Sequence, residues 1–314
     1  MCERSAFETR LQAVVLTMRP RPVRLLAAAL AGASLLLGLL GELHAADAVP
    51  ACAALESGPT RTVTRIVDGE TLALDDGSEL RLIGMLAPRA IDVGAAPGTW
   101  RLETAAVEAL QAHVLGKTVE VRFDGERKDR YGRLKGHAFL KADDANGWVQ
   151  GRLLGMGLAR AYTLAGHRAC WEELLAAERA ASEARLGLWA EAAYEVRQAN
   201  ATSAALLRHV ATFQLVEGHI EHVAPTRSTI YLNFGPGRRR GFSASLKLGD
   251  RAQLGTFADH PKDLEGALVR VRGWIEERAG EPHIDLSAAG GIEVIAAGAP
   301  RTPAQRSERR SRTK

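Results

Sequence analysis

The sequence predicts a mainly β protein with packing helices, an α+β chain built around two small barrels. Three observations carry that expectation. Short β-branched runs joined by tight turns fill residues 62–83. Apolar residues recur at helical spacing in 101–115. A fresh alternating pattern begins at Phe213. The 314 residues leave room for two domains plus extensions at roughly 100–200 residues per domain. A composition of 46% hydrophobic and 25% charged residues excludes a wholly disordered chain and a multi-span membrane protein. Only 5% of the residues are aromatic, too few for a large base-stacking surface. Three cysteines exclude a disulfide scaffold and a tetrahedral cysteine zinc cluster.

Residues 1–48 have the parts of an export signal. Arg19, Arg21 and Arg24 precede an uncharged run at 25–40, and small residues follow at Ala45, Ala46 and Ala48. The run is shorter than the roughly 20 residues a spanning helix needs. The expectation is a cleaved signal and a periplasmic or extracellular protein; the alternative is an uncleaved N-terminal anchor, the one case with a membrane partner. Residues 49–60 form a leader segment. Export leaves Cys52 and Cys170, an even count in an oxidising compartment. A Cys52–Cys170 disulfide is favoured over two separate buried thiols.

The formal net charge of +4 comes from the ends. Residues 301–314 hold five Arg, one Lys and one Glu, and residues 1–24 hold five Arg and two Glu. The middle is slightly acidic, so global charge does not argue for nucleic-acid binding.

Residues 61–190 read as one folded unit. The 62–67 run ends at the turn signal Asp68-Gly69, followed by strands at 71–74 and 80–83. A helix over 101–115 stops near Gly116. Strands follow at 119–123 and 137–140, separated by the cationic loop Asp129-Arg130-Tyr131-Gly132-Arg133. Helices over 148–156 and 170–185 close the unit.

The fragments Val67-Asp-Gly-Glu-Thr71, Leu80-Arg-Leu-Ile-Gly84, Asp129-Arg-Tyr-Gly-Arg133, Leu153-Leu-Gly-Met-Gly-Leu-Ala159 and Ala184-Arg-Leu-Gly-Leu-Trp189 occur in order. Together they resemble the staphylococcal (thermo)nuclease family over residues 60–190. The resemblance implies an OB-type five-stranded barrel and calcium-dependent cleavage of phosphodiesters. Acidic oxygens hold the hard cation, a carboxylate activates water, and two arginines clamp the phosphate. The arginines match Arg81 and Arg133, the catalytic candidates. The family's Asp-Gly-Asp-Thr reads Asp68-Gly69-Glu70-Thr71 here, which leaves Asp68 and Glu70 as the metal-ligand candidates. The family's Asp-Thr-Pro-Glu reads Leu86-Ala87-Pro88-Arg89, so Leu86 replaces a ligand and Arg89 replaces the general base. Such a site favours an anion over calcium. No cofactor is expected, with Ca2+ the exception if the family activity survives. Arg81 has a structural alternative, pairing with Glu79 or Asp68. Asp92 is either a substitute base or a solvated loop carboxylate.

Residues 191–209 read as a helical continuation or linker, and 210–298 as a second small OB-like β-barrel domain. Its rings are Tyr231, Phe234, Phe242 and Trp274, half of them expected in the core, and its basic cluster is Arg238-Arg239-Arg240. With Lys128 and Arg130 of the first unit, these arginines are the nucleic-acid candidates; a solvated loop and a solubilising turn are the alternatives. Residues 299–314 are polar, basic and expected to be disordered. The functional expectation is an exported nuclease-fold protein with a degraded site that binds single-stranded nucleic acid or another polyanion. The alternatives are a calcium-dependent phosphodiesterase and a scaffold for envelope proteins.

Overall fold

The computed structural model describes Cys52 and residues 55–141, 147–164, 166–235, 240–287 and 290–298. The N-terminal segment read as an export signal, Arg238, Arg239 and the basic tail lie outside these residues. Among the described residues no helix is long and apolar enough to cross a membrane.

The first barrel is a closed ring of five strands. They are β1 (Glu56–Asp68), β2 (Thr71–Leu74), β3 (Glu79–Leu82), β5 (Thr118–Phe123) and β6 (Leu134–Leu140). The short β4 (Met85–Leu86) stands apart and pairs with β7 (Arg160–Ala161). Strands β1, β2 and β3 form the expected antiparallel meander, and the Asp68-Gly69 turn sets Asp68 opposite Thr71. The ring closes because β6 runs parallel to β3 and antiparallel to β5, and β5 returns to β1. Inward residues such as Val63, Leu72, Leu80, Val119, Val121 and Ala138 are sealed from water. The strand β1 begins well before the alternating run the sequence marks, because its N-terminal part pairs with β5 from Glu56 onward.

Three helices cover the ring: α1 (Arg101–Val114), α2 (Val149–Gly155) and α3 (Trp171–Glu183). Helix α1 buries Leu102, Ala106, Leu110 and Val114, one face at helical spacing. Helix α3 follows directly on Cys170, which is joined to Cys52 by a disulfide with Cα atoms 4.8 Å apart. Its Glu173 also accepts the Cys52 backbone N–H at 3.2 Å. The linker is not one continuous helix. It forms a short strand β8 (Arg197–Gln198) and a five-residue helix α4 (Ser203–Leu207) capped by Thr202. Thr202 restarts the helix because its hydroxyl takes the orphan Ala205 N–H.

The second unit is an eight-stranded sheet with its own apolar core. Besides β8 it contains β9 (Phe213–His219), β10 (His222–Pro225), β11 (Thr229–Asn233), β12 (Ser243–Lys247), β13 (Leu268–Arg278), β14 (Glu281–Asp285) and β15 (Gly290–Ala296). The long β13 is the hub, pairing with β9, β14 and β15. Phe234 and Phe242 pack on each other in its core, with ring centres 5.1 Å apart. Trp274 turns instead to Phe213 and Tyr162, with ring centres at 5.0 and 5.4 Å. Of the four rings, Tyr231 is the exposed one.

The two β units share one compact body. Leu86 of the barrel packs with Phe213 and Leu215 of the sheet. Arg160, buried beside them, donates to the Phe213 carbonyl at 2.6 Å.

Candidate functional site

The candidate site grows from the β1–β2 turn. Asp68 Oδ1 accepts the Glu70 N–H at 2.8 Å and so caps the turn. Gly69 lets the 86–89 loop come close: a Cβ there would sit 2.8 Å from Ala87 Cβ. The antiparallel β2–β3 register places Thr71 across from Arg81, which brings Arg81 beside Glu70.

Glu70 is buried, and both of its oxygens are engaged. Oε1 accepts the Ala87 N–H at 2.7 Å, and Oε2 forms an ion pair with the Arg81 guanidinium. Burial pushes the Glu70 carboxyl up, opposed by the charge of Arg81 and the Ala87 N–H. Asp68 Oδ1 stands 4.0 Å from Arg81 Nη1. The sequence alternatives for Arg81 were Glu79 and Asp68; Glu79 instead faces Arg65 at 4.0 Å.

Asp68, Glu70, Arg81 and Arg89 line one cleft of about 520 Å³. Leu86 does not. It is 4% exposed and serves the contact with the second unit. Arg89 lies at the cleft, paired to Asp92 at 3.3 Å. Asp92 is neither a solvated loop carboxylate nor a free base. Its Oδ2 accepts from Arg160 and from the Tyr194 hydroxyl, both at 3.3 Å, and its side chain is 9% exposed.

The sequence reading missed Glu103, a third carboxylate in the cleft. Its place in the first turn of α1 was the available signal. Glu103 accepts the Gly98 N–H at 2.7 Å and the Ala90 N–H at 3.3 Å, so it fastens the 90–98 loop.

Arg133 is not among the residues lining this cleft. Its Nε donates to Asp129 Oδ2 at 2.7 Å. Asp129 also accepts the N–H groups of Tyr131 and Arg133 and thereby organises the whole loop. Burial pushes the Asp129 carboxyl up, but the Arg133 and backbone donors hold it below its ordinary value. Tyr131 is 68% exposed. The Arg130 guanidinium lies 4.8 Å from its ring centre and that of Arg133 5.4 Å. Lys128 is exposed on the same loop, while Arg240 is exposed in the other unit.

A closed five-stranded barrel covered by helices, with carboxylates and arginines gathered at a turn between strands, defines an OB-type domain with a polar cleft. The family described as staphylococcal nuclease homologue matches residues 79–191. A thermonuclease of Staphylococcus hyicus is 28% identical over 133 residues, covering 41% of this chain and 75% of that protein. The first barrel is a staphylococcal nuclease-like domain.

The residues present do not fit the calcium ion that this family uses. A hard cation needs several free oxygens. Here the two Glu70 oxygens are taken by a guanidinium and a backbone N–H. The side chain of Leu86 supplies none, and Arg89 adds positive charge. Among the described residues no group of three or more acidic, His or Cys side chains is arranged to hold a metal.

Proposed function

We propose that this chain is an exported, non-hydrolytic member of the nuclease-like proteins that binds single-stranded nucleic acid or a comparable polyanion. The carrying observation is the Glu70–Arg81 pair: the carboxylate at the ligand position of the family neutralises the arginine of its phosphate clamp. Binding then falls to the 128–133 loop. There an exposed tyrosine ring with two guanidinium groups beside it offers stacking and charge together. Export is supported by the Cys52–Cys170 disulfide and by the order of basic and apolar residues at the N-terminus. A second reading, a calcium-dependent phosphodiesterase, draws on the three carboxylates Asp68, Glu70 and Glu103 lining one cleft with Arg81.

The test is to incubate the purified chain with single-stranded DNA and RNA, with calcium or with chelator, reading cleavage and binding at two salt concentrations. The expected result is no cleavage, salt-sensitive binding, and a loss of about tenfold in affinity in R130A/Y131A. Calcium-dependent cleavage that disappears in Arg81→Ala overturns the proposal. Absence of both activities also overturns it and leaves an envelope-protein scaffold.

A further inference from the structure

A second cavity, of about 670 Å³, opens on the opposite flank of α1. At about 100° per residue, Thr104 and Val107 of the nuclease-type cleft fall on one side of the buried stripe Leu102, Ala106 and Leu110. Ala109 and Ala112 of this cavity fall on the other. Its apolar wall comes from these alanines with Leu140 and Met156. Its charged groups are Lys117, Lys141 and Arg152, drawn from three separate segments of the first unit, and among the described residues no carboxylate lines it. Among the described residues no ion pair engages any of the three cations. Arg61, Arg81, Arg122, Arg127 and Lys135 of the same barrel each meet a carboxylate. Glu120, whose carboxylate feels the charge of Lys141, is itself held by Arg122 at 3.0 Å and Ser57 at 3.2 Å.

We propose that this cavity is a binding site for a small amphipathic anion, an alkyl chain ending in a phosphate or carboxylate, distinct from the nuclease-type cleft. The volume lies within the range of about 300–1,000 Å³ usual for small-ligand sites. Apolar contact with Leu140 and Met156 supplies burial of the chain. Lys117, Lys141 and Arg152 supply charge-assisted hydrogen bonds to the headgroup. A compact inorganic anion gains only the second contribution, and an uncharged alkyl chain only the first.

The test is titration of the purified chain with dodecyl phosphate below its micelle concentration, beside inorganic phosphate and dodecanol. The expected result is saturable one-to-one binding of dodecyl phosphate and at least tenfold weaker binding of either control. Arg152→Ala and Lys117→Ala each weaken it about tenfold, while Arg152→Lys retains most of it. R130A/Y131A leaves it unchanged, which separates this site from the nucleic-acid loop. The cations are exposed, and a thermal melt of each variant verifies folding. A parallel arm uses vesicles containing anionic phospholipid. Vesicle binding without binding of the free amphiphile overturns the proposal in favour of a membrane-surface contact. No saturable binding, or binding insensitive to both alanine variants, overturns it outright.

Discussion

Arg272 of the sheet and Glu178 of helix α3 form an ion pair at 2.6 Å that is sealed from water, with 1% and 4% of their side chains exposed. Glu178 also accepts the Ala161 N–H at 2.7 Å, and Arg272 donates to the Ala161 carbonyl at 3.2 Å. The Trp171 ring lies 5.4 Å from the guanidinium. Breaking a buried pair by removing one partner leaves an uncompensated charge. Arg272→Ala is therefore expected to destabilise the protein by about 3–5 kcal/mol, measured by urea unfolding. Arg272→Met combined with Glu178→Leu removes both charges and is expected to recover most of that loss.

Glu70→Gln tests whether the Glu70–Arg81 pair silences the phosphate clamp. With the buried carboxylate charge gone, Arg81 keeps only the more distant Asp68, at 4.0 Å, and faces the cleft with most of its charge. The expected outcome is an oligonucleotide affinity about fivefold higher, with a steeper salt dependence, read by fluorescence anisotropy. An unchanged affinity and slope would mean that Arg81 does not reach the ligand.

Rebuilding the family's second ligand is expected to fail. Leu86 packs against Phe213 and Leu215, so Leu86→Asp buries a carboxylate in an apolar contact. The expected loss is about 3 kcal/mol by chemical denaturation, with no gain in calcium affinity by calorimetry.

Stability depends on pH through His283. Ser243 and Ser245 hold its two ring nitrogens at 2.8 and 2.9 Å. Burial, helped by the charge of Arg278, pushes its pKa down to about 4. The unfolded chain takes up this proton near pH 6.5 and the native one only near pH 4. The stabilisation is therefore complete above pH 6.5 and is lost as pH falls through that window, by about 3 kcal/mol at about 1.4 kcal/mol per pKa unit. His137, pushed down to about 3 mainly by burial, acts in the same direction. Denaturation curves from pH 7 to pH 4.5 are expected to fall less steeply in His283→Gln than in the parent; equal slopes would refute the assignment.

The disulfide closes a span of 118 residues. Chain entropy for a loop of that length predicts that Cys52→Ser lowers stability by about 5 kcal/mol in non-reducing buffer. The same variant compared under reducing conditions is expected to show almost no difference from the parent.

Much of the first barrel was legible because its signals are local. The Asp68-Gly69 turn, the period-two runs and the apolar stripe of α1 each specify an element within a few residues. The second unit was legible for the same reason where its alternating pattern begins, at β9 from Phe213. The linker was not, since β8 exists only where β9 offers a free edge. The substitutions at Leu86 and Arg89 were visible as missing acids, but their destinations were not.

The residue pattern alone was enough for the opening meander of the first barrel, the buried face of α1 and the loss of acidic ligands from the 86–89 loop, and it favoured the pairing of Cys52 with Cys170. The folded chain alone shows that Glu70 is spent on Arg81, that Leu86 became a contact with the second unit, and that Asp92 and Glu178 each bind an arginine 68 and 94 residues away. The physical reason is burial. A short-range pattern shows which side chain is apolar or charged, but its partner is chosen when distant segments exclude water together.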